Sequence, residues 1–299
     1  MTRLLKKGLF FALLTLVPYG ALQYFIITNY DPIYTKLVGK HKFVITGVSR
    51  AKIGLSPMIL HEEMELKAVP QNLAISNLST PYGPFYYAFL QKKITIQEAA
   101  DHFHLISVSP VSIMDVDDTL TYSRESHDLI YKLQSVSNRP NLEYVFRIPS
   151  FEMLHNQIRL SLTESQMVLK MHNTGWMEVN PKGDFRMSIN YIDAPYRPSL
   201  EREEYLRKTI SLLEKTGNVF LIRMPVSSSM LQIEKNLYPN FDEVITKIAH
   251  ESSVPYLDYT ADGDSYEFYD NPGHHLTGKS ARDFTRVVTK DLKKILSED

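Results

Sequence analysis

Apolar and polar residues follow two regimes along the chain. From Gly8 to Thr28 the run GLFFALLTLVPYGALQYFIIT holds no charge over 21 residues. At about 1.5 Å per residue that length crosses a hydrocarbon core of about 30 Å. Beyond it, short apolar runs alternate with longer amphipathic ones. The runs predict strands at Phe43–Thr46, Leu73–Ser76, Leu105–Val108, Val219–Arg223 and Val254–Tyr259, each bounded by turn formers. Helices are predicted after the Ser56-Pro57 cap through MILHEEMELK and at Pro84–Lys92, Ile96–His102, Leu200–Lys215, Phe241–Glu251 and Lys279–Leu296, since Ser-Pro suits a helix start. Strands alternating with helices imply a parallel sheet covered on both faces. The expected fold class is therefore α/β, a three-layer α/β/α sandwich around a central parallel sheet, preceded by one transmembrane helix.

Between about Asp115 and Pro198 the alternation fails. Helix candidates stand at Glu125–Gln134 and Ser150–Thr163, and strand-like stretches at Trp176–Val179 and Phe185–Asn190. The stretch reads as an insertion, so the chain divides into an anchor at 1–30, a polar linker at 31–42 and one domain at 43–299. Its aromatic residues Tyr144, Phe146, Phe151, Trp176 and Tyr191 are either core or a lid and sugar platform.

Arg3, Lys6 and Lys7 precede the apolar run and no acid accompanies them. By the positive-inside tendency this leaves the amino terminus in the cytoplasm and the remaining chain beyond the membrane, periplasmic or at the cell surface. A cleaved signal peptide is the alternative. Its apolar region is usually about 7–15 residues, and the small pair Gly20-Ala21 has Tyr19 beside it. Pro18 is compatible with a membrane helix, and Tyr24 and Tyr30 suit an outer interface.

Charge and cysteine content narrow the chemistry. With 33 Lys+Arg against 34 Asp+Glu the net charge is −1, which leaves no overall basic field for a nucleic acid. The chain has no cysteine, so disulfides, thiol nucleophiles, iron–sulfur clusters and cysteine-ligated zinc are excluded. Serine, carboxylate and imidazole groups remain.

In open parallel sheets ligands bind beyond the carboxyl ends of strands. Four such places carry chemistry-bearing residues: Gly47-Val48-Ser49-Arg50, the loop Asn77-Leu78-Ser79-Thr80-Pro81-Tyr82-Gly83, the strand end Met224-Pro225-Val226-Ser227, and Asp270-Asn271-Pro272-Gly273-His274-His275-Leu276-Thr277. Singly, Ser49 reads as a helix cap, the loop as turn formers and the histidines as surface residues.

Jointly, the serine, the donor loop and the Asp/His pair resemble the SGNH (GDSL-like) hydrolase superfamily over about Lys42 to Leu296, particularly its membrane-anchored members that act on cell-surface polymers. The resemblance implies a flavodoxin-like sandwich. It implies Ser49 as nucleophile, in G-V-S-R where the family has its G-D-S-type block, and His275 as general base, since H-L-T followed by K-S-A matches the family's H-L-N-x-x-G-A at its histidine and leucine. Asp270 would orient the histidine, and Gly83 or a neighbour such as Ser79 would complete an oxyanion hole with the Ser49 N–H. The spacing from Asp270 to His275 exceeds the family's Asp-x-x-His by a two-residue bulge that Asn271-Pro272-Gly273 can form, and it keeps Asp264 and Asp262 open as alternative acids. Where the family has an asparagine after the third strand, this chain has Ser107, Ser109 and Pro110.

The implied activity is a serine esterase or O-acyltransferase acting on acyl groups of envelope glycans or related polymers, with no cofactor and no metal. Serine needs an imidazole within reach, an acid to set its tautomer and fixed N–H donors for the oxyanion. Catalysis expects Ser49 and His275 within about 2.6–3.2 Å. Side chains pointing to different surfaces would favour a degenerate module that binds a polysaccharide or assembly partner without turnover. Arg223, at a strand end, would contact an anionic substrate or pair with a carboxylate of the sheet.

A second resemblance competes. Asp115-Val116-Asp117-Asp118-Thr119 is similar to the first motif of the haloacid dehalogenase superfamily, which implies a magnesium-dependent phosphatase with Asp115 as nucleophile and Asp117 as acid/base. Ser227, the Asp262-Gly263-Asp264 cluster, and Lys235 or Lys247 would complete it, although Ser107, Ser109, Pro110 and Ser112 interrupt the strand that the motif should close. The same residues as a polar turn are the plain alternative. His102 and His104 lie on one side of a strand, but a zinc site needs further ligands.

Overall fold

The computed structural model describes residues 2–30, 34–75, 82–95, 103–116, 141–147, 167–188 and 195–298. The fold is mixed α/β around a central parallel sheet, entered through one long apolar helix. That helix, α1 (Thr2–Tyr30), is long and apolar enough to span a membrane between Arg3 and Thr28. Most of its side chains through Leu22 are exposed. Gln23, Ile26 and Ile27 are instead buried, where the last turns of α1 meet the short helix α6 (Leu142–Arg147).

Residues 34–42, expected as a polar linker, belong to the fold. Helix α2 (Tyr34–Leu37) places Tyr34 and Val38, four residues apart, in one core cluster with Ile27. The Tyr34 ring packs on Tyr144 at 5.7 Å and its hydroxyl accepts from the Asn141 N–H at 3.2 Å. This i,i+4 pair, together with the buried Lys36 that donates to the Ala74 carbonyl, draws the segment inward.

The sheet uses β1 (Val44–Thr46), β2 (Gln71–Asn72), β3 (Phe103–Val108), β9 (Asn218–Arg223) and β10 (Tyr256–Asp258), all parallel, in the order β2-β1-β3-β9-β10. Ile45 is level with Leu105, and Leu105 with Phe220. Alternate residues feed two apolar clusters. Val44, Ile106, Val219 and Leu221 join α5 (Pro84–Lys93), α7 (Leu200–Glu214) and α9 (Phe241–Glu251). Ile45, Leu105, Phe220 and Ile222 join α3 (Ser49–Gly54), α4 (Pro57–Glu63) and the last helix, α10 (Gly278–Glu298). Strand order reverses between β1 and β3, which is where open sheets of this kind leave a crevice.

The expected insertion has paired ends. β4 (Met114–Val116) runs antiparallel to β8 (Tyr196–Pro198), with Met114 opposite Pro198. Between them lie the hairpin β5 (Met167–Met171) and β6 (Met177–Pro181), and β7 (Met187–Ser188). Helix α8 (Ser228–Leu237) and the β11 segment (Asp270–Asn271) complete the elements used below. Helix α8 was not foreseen. The helices expected at 96–102, 125–134 and 150–163 lie outside the described residues.

If residues 34–42 are core rather than linker, Tyr34→Ala should lower the urea-unfolding free energy by about 3 kcal/mol, as a buried aromatic truncation does. Lys40→Ala, at an exposed position, should change it by less than about 0.5 kcal/mol.

Candidate active site

Gly47 ends β1 at φ +136°, and a Cβ there would lie 2.8 Å from the Ser107 Cβ. A side chain is therefore excluded both by conformation and by the close approach of the β1 and β3 ends. The turn delivers Ser49 to the first position of α3. Val48, not Ser49, is the residue that precedes the helix, and no side chain caps it. The Ser49 hydroxyl is thus not spent on capping, and its N–H, in the first turn, has no intrahelical acceptor.

His275 reaches that hydroxyl. Its Nε2 lies 2.8 Å from Ser49 Oγ, and its Nδ1 lies 2.5 Å from Asp270 Oδ2. The other Asp270 oxygen accepts the backbone N–H groups of His274 at 2.7 Å and His275 at 3.0 Å. Five residues of chain consequently wrap round one carboxylate. Gly273 permits the bend at φ +99°, and its carbonyl accepts from the Ser227 N–H at 3.0 Å. With Nδ1–H given to Asp270, Nε2 is left to accept the Ser49 proton. The Tyr269 ring stacks on the imidazole at 5.5 Å.

Both histidines are buried, and burial is the main force on their protonation. His275 is held below its ordinary value by desolvation, which outweighs the opposing Asp270 carboxylate; Arg50 and Lys52 add to the lowering. His274 is held well below it by desolvation, Arg50 and His275. Folded, both rings are neutral near pH 7.

Beneath the site runs a buried ionic chain that the motifs did not suggest. Arg50, next to the serine, donates to His274 Nδ1 at 3.2 Å through Nε and pairs with Glu234 of α8 at 2.6 Å. Arg223 approaches the other Glu234 oxygen at 3.3 Å and also pairs with Asp242, while its guanidinium lies over the Phe241 ring at 4.9 Å. Of the two readings of Arg223, the carboxylate pairing is therefore the one observed. The buried guanidinium is not presented to a substrate, which corrects its inclusion among the binding residues. The available signal for Glu234 was an acid four residues after Met230, on the buried face of an amphipathic helix.

The remaining candidates separate. Gly83 precedes α5 and its carbonyl accepts from the Tyr87 N–H; no described contact brings it to Ser49. Ser79 and its loop, 76–81, lie outside the described residues. Asp264 is occupied with the Ser228 backbone N–H at 3.0 Å and the Ser228 hydroxyl, and Asp262 lies with it in the 3₁₀ turn Thr260–Ser265. Neither is the acid on His275. Asp115 sits in the β4–β8 ribbon, not at the end of a central strand, and accepts from Arg202 Nε at 2.8 Å. Asp117 lies outside the described residues, and Ser227 caps α8 by accepting from the Met230 N–H. His104 is paired with the Thr216 hydroxyl at 2.9 Å. Among the described residues no three His, Asp or Glu side chains form a metal cradle.

Tyr144 and Trp176 are core, not an exposed sugar platform. Phe151, Tyr191 and the Phe146 side chain lie outside the described residues. Trp176 donates to the Ile53 carbonyl of α3 at 2.6 Å. The same insertion pairs β7 with β11, setting Met187 level with Asp270, and the Met187 N–H donates to the Tyr269 carbonyl at 2.9 Å. It thus braces both the serine helix and the acid–base loop.

No protein-family model matches the chain, and a search of curated proteins finds no matching relative.

The two buried rings set a pH dependence of stability. Unfolded, they titrate near 6.5; folded, they titrate lower, so the unfolded chain binds more protons in between. Their contribution is complete above about pH 6.5 and is lost as pH falls through the folded values. Urea-unfolding free energy should fall from pH 7 to pH 5, and the fall should be shallower in His274→Gln. An unchanged slope would contradict the neutral buried His274.

Proposed function

We propose that the chain is a membrane-anchored serine esterase or O-acyltransferase of SGNH type. Its substrates would be acyl groups on cell-envelope glycans or related polymers, with the catalytic domain on the far side of the membrane from the cytoplasm. The observation that carries the reading is the Ser49–His275–Asp270 relay, 2.8 Å and 2.5 Å long, within the reach required of a nucleophile and its base. Three further features support it. The relay stands at the point where strand order reverses. The two apolar clusters on alternate strand residues suit a three-layer sandwich. The apolar α1 suits an anchor.

In this mechanism the Ser49 hydroxyl gives its proton to His275 Nε2 as Oγ attacks an ester carbonyl. Asp270 balances the imidazolium without itself taking the proton. The Ser49 N–H supplies one donor for the oxyanion, with others expected from the loop that begins after β2. Imidazolium then protonates the leaving alkoxide, and a serine ester remains. Water or an acceptor hydroxyl, deprotonated by the same histidine, releases the acyl group. The choice between them distinguishes hydrolase from transferase.

The alternatives have less support. A phosphatase built on Asp115 lacks the strand-end setting, and a module that binds without turnover leaves the alignment of three reactive groups without a role.

A fluorophosphonate probe should label the wild type at one serine and should not label Ser49→Ala. Turnover of p-nitrophenyl acetate should be lost in the same variant, while Asp270→Asn should lower kcat by about 10⁴-fold through the wrong tautomer. Labelling that persists in Ser49→Ala, or an unlabelled wild type, would reject the assignment.

A further inference from the structure

Lys52 is a cation that the ester-cleaving relay does not use. It lies three residues after Ser49 in α3, on the same helical face. It is half-buried, and among the described residues its ammonium has no hydrogen-bond or ion-pair partner. The nearby acids are committed elsewhere: Asp270 to His275 and two N–H groups, Glu234 to Arg50 and Arg223.

The charge reaches the site. Burial is the main force that lowers the pKa of His275 and of Lys36, and the Lys52 charge adds to both. Lys36 is itself buried, with its Nζ donating to the Ala74 carbonyl just past β2, at the base of the loop that continues to Gly83. Two amines thus stand where the end of β2 meets the serine helix. Burial also disfavours the charged form of Lys52. A partly desolvated ammonium without a counter-ion is costly, and it is stabilised when an anion arrives from outside.

We propose that Lys52 binds an oxyanion carried by the substrate close to the ester that Ser49 attacks. This rests on the serine-esterase reading and adds a substrate class to it: acylated compounds that bear a phosphate or carboxylate beside the acyl group. The anion offsets the repulsion between Lys52 and the imidazolium that forms during attack, so it assists binding and proton transfer together.

The test uses the full chain in detergent and measures the rate of fluorophosphonate labelling at constant ionic strength, with methyl phosphate or acetate as competitor. Wild type should be protected by at least one of them. Lys52→Met should still label, which also reports that it is folded, but should need about tenfold more competitor, corresponding to about 1.4 kcal/mol. Lys52→Arg should recover most of the protection. Protection by methyl phosphate alone assigns a phosphate ester, and protection by acetate alone assigns a carboxylate. Labelling without protection, or equal protection in Lys52→Met, overturns the subsite and leaves the serine reading intact. A wild type that does not label overturns both.

Discussion

Asp270 organises the site through three hydrogen bonds received within five residues of chain. An ionised carboxylate removed from water is strongly unfavourable unless donors replace its hydration. Here two backbone N–H groups and one imidazole do so. The same bonds bend residues 271–275 into a loop, choose the tautomer of His275 and aim Nε2 at Ser49. Pairing of β7 with β11 keeps the carboxylate from shifting. Geometry and protonation state therefore share one cause, and neither can be altered without the other.

A second polar layer ties that loop to the start of α3, which carries Ser49. Arg50 contacts both His274 and Glu234, and Glu234 also meets Arg223. Two guanidinium groups around one buried carboxylate leave a positive excess, which Asp242 and the more distant Asp258 reduce at the rim. Such buried networks contribute little net stability compared with apolar packing, but breaking one member leaves an uncompensated charge. The network is better understood as fixing the mutual position of α3, α8 and β9. It also supplies the positive field that, together with burial, keeps the histidines neutral.

Legibility in the sequence followed the range of the interactions. Helix α9 was readable from end to end because its apolar stripe and acidic first turn are local. At β2 the expected strand at 73–76 and the observed Gln71–Asn72 differ. Leu73 and Ile75 still donate to β1, but the Asn72 side chain takes the Ala74 N–H and Lys36 takes its carbonyl. Helix α8 was missed because Ser227-Ser228-Ser229 resembles a loop, whereas Ser227 is its cap. Ser49, Asp270 and His275 were singled out by their places after predicted strands and before a predicted helix, and the family resemblance was needed to join them, with Asp264 and Asp262 still open as the acid. Arg50, His274 and Glu234 could not be joined, since their bonds span some two hundred residues and no periodicity marks them. The bracing by β7 and Trp176 was hidden for the same reason.

Helix α1 illustrates how composition can satisfy two environments at once. An uncharged run of 21 residues suits lipid and a protein interior equally, so burial alone separates them. Side chains are mostly exposed up to Leu22, and beyond it Gln23, Ile26 and Ile27 are buried while Tyr24 and Phe25 stay exposed, so only one face of the last turns of α1 enters the core. The exposed uncharged part from Gly8 to Leu22 is about 22 Å long at 1.5 Å per residue, so a hydrocarbon core of about 30 Å takes in part of the half-buried end as well. At the junction Gln23 donates to the Tyr19 hydroxyl at 2.7 Å, while its buried amide oxygen finds no partner among the described residues. Tyr34 and Val38 share the core cluster of Ile27. If α1 crosses the bilayer as proposed, the domain is held against the surface by its own core. Reach is then set by the fold, and the Ser49 site is restricted to groups that the membrane itself keeps close.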